Sequence, residues 1–241
     1  MSFSSILDWI YPPTCIACRT LIALTDGQPR HMRICLHCQA LFQPIAGTIC
    51  KTCGTPTRQE VERCVSCYGK AFHFTHNHAT FVYDDIVRDL LLDLKFNQKK
   101  QIAESLGKVW AQYVTELPEN TILVPLPLHR QKQKERSFNQ AEILALHISQ
   151  ALNIPMQNAL VRIVDTPPQS GLHPRQRVEN IAGAFARAPG ISATGKNYII
   201  IDDIYTTGAS LNECAKVLME AGAATVSCMT LSVVQRKKEA E

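Results

Sequence analysis

The residues from Tyr198 to Ser210 read Tyr-Ile-Ile-Ile-Asp-Asp-Ile-Tyr-Thr-Thr-Gly-Ala-Ser. Four apolar residues predict a short buried strand, two adjacent carboxylates sit at its carboxyl end, and a glycine-containing turn leads into the apolar-periodic run Leu211 to Met219. A turn of that kind at a helix N-terminus offers backbone N–H groups and the positive end of the helix dipole to a phosphate. Where the strand breaks into the loop, Asp202 and Asp203 can both turn toward vicinal hydroxyls and accept hydrogen bonds from them. A phosphate cradle beside diol acceptors describes a ribose 5-phosphate. The competing reading is an acidic pair that merely ends a buried strand, but both halves occur together in the strand-loop-helix context that the chemistry needs.

Four C-x-x-C pairs supply a second chemistry: Cys15 and Cys18, Cys35 and Cys38, Cys50 and Cys53, Cys64 and Cys67. Each pair can form a thiolate knuckle, and two knuckles complete the tetrahedral four-sulfur shell of a structural zinc, so eight ligands predict two zinc ions. Sequential pairing gives two successive ribbons and interleaved pairing gives a cross-braced module. Sequential pairing is favoured because each half closes its own small loop, with Pro44 and Gly47 as a joint. Disulfides or a redox C-x-x-C are the alternatives, and four pairs in a row argue against the redox motif. The nearby histidines read as surface or packing residues, because thiolates already fill both shells. Cys214 and Cys228 have no such partners and read as buried packing residues.

A third stretch follows Val124, where Pro125-Leu126-Pro127-Leu128 precedes His129, Arg130, Lys132, Lys134 and Arg136. A rigid turn beside concentrated positive charge suits a pyrophosphate, with Arg130 and Arg136 able to make bidentate contacts. For Lys132 and Lys134 a solvated face is an equal alternative. Asp165 to Asn180 contains Pro167, Pro168, Gly171 and Pro174 and reads as a long loop, which is either functional or a structural crossover.

The elements that must position these residues are legible in outline. The chain has 241 residues, a net charge of +4 and ten cysteines, eight of them in the first third. That composition break predicts two domains, a small Cys-rich zinc module over residues 1–75 and an α/β domain over 76–241. Strands are expected at Ala79–Tyr83, Thr121–Val124, near Phe185, at Tyr198 and over Thr225–Val234. Helices are expected at Ile86–Phe96, Ile102–Val114, Phe138–Leu152 and after Ser210. Alternating strands and helices predict a mainly parallel sheet with helices on both faces. No stretch is long and apolar enough for a membrane span and no leader pattern is present, so a cytoplasmic location with reduced thiols is expected. The mild positive charge permits a polyanionic partner without demanding one.

The Tyr198–Ser210 stretch resembles the phosphoribosyl pyrophosphate (PRPP) motif of type I phosphoribosyltransferases. The resemblance implies that Asp202 and Asp203 contact ribose hydroxyls as the catalytic pair, and that Thr206, Thr207, Gly208, Ala209 and Ser210 hold the 5-phosphate. It places Pro125, Leu126, Pro127 and Arg130 at the pyrophosphate, with Arg175 and Arg177 on a loop that closes over it, and Mg²⁺ accompanying the PRPP. The knuckles followed by Leu94-Lys95-Phe96, Val124-Pro125-Leu126-Pro127, Arg136-Ser137-Phe138-Asn139-Gln140-Ala141, then Arg162, Thr166, Gln169, Arg175, Arg177 and Asn180, resemble the ComF family over nearly the whole chain. Ser137 departs from the glycine usual there and costs stability if the turn needs positive φ. The family resemblance implies handling of single-stranded DNA during natural transformation, with Arg130, Lys132, Lys134 and Arg136 as DNA contacts. It also implies partners in the competence machinery that can draw the protein to the inner membrane. The alternative is an active phosphoribosyltransferase that moves ribose 5-phosphate to a nitrogen acceptor. A third reading is a ligand sensor that binds without turnover.

Overall fold

The computed structural model describes residues 12–22, 32–97, 99–114, 117–166 and 179–235. In chain order the elements are α1 (Leu36–Ala40), β1 (Asn77–Val82), α2 (Asp85–Asn97), α3 (Lys100–Ala111), β2 (Thr121–Pro125), α4 (Arg130–Arg136), α5 (Gln140–Leu152), β3 (Leu160–Arg162), β4 (Phe185–Arg187), β5 (Asn197–Tyr205), α6 (Ala209–Glu220) and β6 (Thr225–Val233). Four strands form one parallel sheet in the order β1-β6-β5-β2. The short strands β3 and β4 pair antiparallel to each other, outside that sheet.

The first half of β5, Tyr198–Ile201, is a continuous apolar run because a parallel strand covered on both faces has no polar side to show there. Its odd residues Ile199 and Ile201 join a core cluster with α2, α3 and α5, and its even residues Tyr198 and Ile200 join a second cluster with α6. That split follows from the two-residue period of a strand. Helix α3 buries Ile102, Ala103, Leu106, Val109 and Trp110 along one stripe. The Trp110 indole N–H donates to Thr80 Oγ1 at 2.7 Å, which fixes α3 on β1 without leaving a buried donor unpaired.

The cysteine-rich segment is built into both clusters. Cys15 and Cys38 pack in the first with Ile22, Ile34 and Phe42, while Cys50, Cys53 and Cys67 pack in the second with Phe74.

Candidate functional site

Parallel pairing brings the loops after β2 and β5 to the same edge of the sheet. The register runs to Pro125 opposite Ile201, and Leu126 N–H continues it to the Ile201 carbonyl at 2.9 Å. Asn139 holds this loop from behind: Nδ2 donates to the Leu126 carbonyl at 3.0 Å, while Oδ1 caps α5 by accepting from Ala141 N–H at 3.1 Å. In the sequence Asn139 stands out only as part of the Arg136–Ala141 motif. Ser137 ends α4 at φ 63°, in the left-handed region, so the turn does require positive φ. Ser137→Gly should therefore stabilise the fold by roughly 0.5–1 kcal/mol, read as a higher denaturation midpoint with an unchanged slope.

The acidic pair differs from expectation. Strand β5 does not break at the carboxylates but pairs on through Ile204 opposite Ser232 and Tyr205 opposite Val233. Neighbouring side chains leave a strand in opposite directions, yet the two carboxyls still act on each other. Asp203 faces α2, where its Oδ2 lies 3.0 Å from the Lys95 ammonium, and its side chain is only 6% exposed. Burial alone would lower the Lys95 pKa, but the Asp203 and Asp202 charges outweigh it and hold that pKa above its ordinary value. Asp202 accepts the Asp203 backbone N–H at 2.8 Å. Burial, and next the Asp203 charge, push its carboxyl well above the usual carboxylate range. On the α6 face, burial and then the Asp202 charge push the Cys228 thiol up.

Lys95 is thus a member of the site that no local pattern in the sequence assigns to it. Its signal was a lysine four residues after the fully buried Leu91 and adjacent to the buried Leu94, on the core-facing stripe of α2.

Beyond Tyr205 the chain turns through Thr206, which is exposed, and Thr207, which is buried. Gly208, at φ 74°, is the N-cap of α6, so Ala209 and Ser210 form its first turn. The Thr207 hydroxyl accepts the Ala209 N–H at 3.4 Å. A Cβ on Gly208 would strike the Tyr205 ring, with Cζ 2.8 Å away, so both space and φ demand glycine. Helix N-terminal N–H groups here can bind a phosphate. The two carboxylates nearby are the donor type that a Mg²⁺ shared with ligand phosphates would use.

The basic segment proves to be a helix, α4, rather than a loop. Arg130 and Lys134 are exposed. Lys132 instead donates to the Thr166 carbonyl at 2.9 Å, and Arg136 reaches Gln140 Oε1 at 3.5 Å. Arg162 also donates to the Thr166 hydroxyl and stacks over Phe185, 5.6 Å from the ring centre. Two cations therefore anchor Thr166, the last described residue before 167. Arg175 and Arg177, expected on the long loop, lie outside the described residues.

The eight paired cysteines gather in the sequential arrangement. Cys15, Cys18, Cys35 and Cys38 form one cluster and Cys50, Cys53, Cys64 and Cys67 the other, with all sulfurs of a cluster within 4.8 Å of one another. The Cys18–Cys35 and Cys53–Cys64 separations are 3.8 and 3.7 Å. A zinc tetrahedron with bonds of about 2.3 Å has edges of about 3.8 Å, so both clusters fit structural zinc. Backbone N–H groups of Cys35 and Cys64 donate to the sulfurs of Cys15 and Cys50 at 3.4 and 3.2 Å, as thiolate ligands favour. No histidine joins either cluster among the described residues.

A parallel sheet whose carboxyl edge gathers an acidic pair, a proline-bounded loop and a glycine-capped helix, joined to two four-cysteine clusters, defines a phosphoribosyltransferase-like α/β protein with a zinc-ribbon module. Family comparison agrees: residues 6–68 match the double zinc ribbon domain and residues 139–241 the phosphoribosyl transferase domain. The chain is 31% identical over 209 residues to Competence protein ComFC of Bacillus subtilis, covering 83% of each chain. It is 29% identical to DNA utilization protein YhgH of Escherichia coli K12, over 91% of this chain and 98% of that one. To Competence protein F of Haemophilus influenzae it is 27% identical, over 86% and 91%. The chain belongs to the ComF family. No helix among the described residues is long and apolar enough to cross a membrane.

Proposed function

We propose that this protein binds PRPP with Mg²⁺ and acts in the handling of incoming single-stranded DNA during natural transformation. The observation that carries the ligand half is the meeting, at one sheet edge, of Asp202 and Asp203 with the Thr206–Ser210 turn and the Pro125–Arg130 loop. In this reading the helix N-terminus takes the 5-phosphate, the carboxylates orient the ribose and its metal, and Arg130, with Arg175 and Arg177, faces the pyrophosphate. The DNA half rests on the relatives, whose names tie them to competence and DNA utilization. We assign the division of labour near residue 75, with the zinc ribbons before it and the PRPP site after it, and a cytoplasmic protein recruited to the inner membrane by competence-machinery partners.

A second reading, transfer of ribose 5-phosphate to a nitrogen acceptor, is favoured by the complete acidic pair. Arginines and metal would then stabilise the departing pyrophosphate. Pyrophosphate release with a panel of amine acceptors separates the two readings.

The DNA test uses Arg130 and Lys134, because Lys132 and Arg136 are engaged within the protein. Single-stranded DNA should bind the native protein with little sequence preference and weaken steeply with salt. Arg130→Gln with Lys134→Gln should flatten the log–log salt slope by about 1.4, since each single-strand phosphate contact contributes about 0.7. Fluorescence anisotropy with an oligothymidylate measures this, and PRPP calorimetry is run on the same variant. An unchanged slope removes α4 as the DNA contact, and no binding at low salt leaves the transfer reading.

A further inference from the structure

The two zinc sites touch different parts of the α/β body. The first lies against the α2–α3 side: Arg33 N–H donates to Ser105 Oγ at 3.3 Å, and the Tyr113 hydroxyl donates to the Phe42 carbonyl at 3.2 Å. The second shares its core cluster with Tyr205, Ala209, Leu211 and Cys214, the residues on which the phosphate loop is mounted.

Its attachments are specific. A Cβ on Gly54, in the turn after Cys53, would sit 2.8 Å from the Asn77 carbonyl, so the ribbon backbone lies directly on β1. Asn77 Nδ2 then donates to the Cys53 carbonyl at 3.0 Å and to Thr230 Oγ1 at 3.1 Å, tying ribbon to sheet. The tightest link is Asn212. Its backbone N–H makes a first-turn bond of α6, to the Gly208 carbonyl at 2.8 Å. Its side chain accepts from His73 N–H at 2.6 Å and donates to the Ala71 carbonyl at 3.3 Å. The helix that carries the phosphate loop is thereby clamped to the chain just after Cys67, the last ligand of the second site.

Tyr205 adds a second link. Its hydroxyl is buried without a hydrogen-bond partner among the described residues and occupies the space beside Gly208. The ring packs in the same core cluster as Cys50, Cys53 and Cys67 of the second site.

We propose that the second zinc site, and not the first, positions the phosphate loop, with Asn212 and Tyr205 as the positioning residues, so that metal occupancy and ribose-phosphate binding are thermodynamically linked. Only the ribose-phosphate half rests on the function proposed above. Without zinc a ribbon loses most of its folding free energy, so residues 71–73 no longer present fixed partners to Asn212 and the start of α6 frays. Linkage is reciprocal: a ligand that needs the ordered loop must also tighten the second zinc.

The test uses the full-length, zinc-loaded protein and two single-site variants, Cys18→Ser and Cys64→Ser, each expected to lose one zinc by metal analysis. Amide exchange over residues 206–213, without ligand, should accelerate by about tenfold or more in Cys64→Ser, as two lost hydrogen bonds imply, and stay at its native rate in Cys18→Ser. Asn212→Ala keeps both zinc ions and should reproduce the faster exchange, which holds the test open if Cys64→Ser does not fold. PRPP calorimetry should show a loss of about tenfold in Cys64→Ser and in Asn212→Ala. In the native protein, saturating PRPP should slow zinc transfer from the second site to a chromogenic chelator, and Asn212→Ala should abolish that protection. Equal acceleration in both cysteine variants, or native exchange in Asn212→Ala, overturns the proposal. A native protein that does not bind PRPP overturns the ribose-phosphate reading instead, and the exchange measurements still decide the link between zinc and loop.

Discussion

Asp203→Asn should destabilise the fold by about 2–3 kcal/mol, whereas Asp202→Asn should leave it as stable as the native protein or more so. Removing one partner of a buried ion pair costs about 3–5 kcal/mol, and the value is lowered here because the Lys95 side chain is 27% exposed. Asp202 is the opposite case. Its native pKa is raised, so the folded state holds that proton more tightly than the unfolded chain does. The contribution of Asp202 to stability is therefore present in acid and lost as pH rises from about 3.9, the ordinary carboxylate value, through the raised native value. An amide at 202 removes that penalty, and the corresponding loss of stability above the native pKa should vanish from the pH profile. The Lys95 pKa is raised as well, so its pairing with Asp203 contributes below about 10.4 and is lost as pH rises through its native value. Both amides should weaken PRPP binding by roughly 10- to 100-fold, since each loses a charge-assisted contact of about 1.5–3 kcal/mol. Denaturation midpoints from acid to alkaline pH, with calorimetry in Mg²⁺, read both effects. Equal destabilisation by the two amides would show that the Lys95 pair does not distinguish them. Unchanged PRPP affinity would make the acidic pair structural.

Removing both zinc ions should unfold far more than the ribbons. Apparent binding free energies of structural zinc are about 10–16 kcal/mol, comparable with the whole stability of a domain. Because Cys15 and Cys38 sit in one core cluster and Cys50, Cys53 and Cys67 in the other, the lost order reaches both faces of the sheet. Scanning calorimetry should show one cooperative transition in the zinc-loaded protein. In excess chelator it should show a broad transition, with Tm lower by tens of degrees, because a domain of this size shifts by about 2–4 °C per kcal/mol. A sharp transition surviving unchanged in chelator would mean that the α/β part is stable without the ribbons.

The sequence by itself determined the chemistry and most of the elements that carry it. The eight cysteines were legible because a knuckle is a local object: its two ligands are three residues apart wherever the chain goes, and the sequential clusters follow from short loops. The β5–turn–α6 unit was equally legible, since a buried apolar run, a glycine needing positive φ and a helical stripe are each local. What tertiary structure decided is how those units face one another. Pairing of β5 with β6 carries the strand past the acidic pair and turns Asp203 toward Lys95 on α2, which no window around residue 202 reveals. The basic run becomes a helix, and two of its charges turn inward because Thr166 and Gln140, distant or on the next element, offer acceptors. Lys95 lies more than a hundred residues from Asp203 in the chain and 3.0 Å from it in space. The clamp from Asn212 to Ala71 and His73 likewise joins α6 to the chain four to six residues after Cys67. Such contacts depend on the order of strands in the sheet, which is set by the burial of all faces together rather than by any one segment.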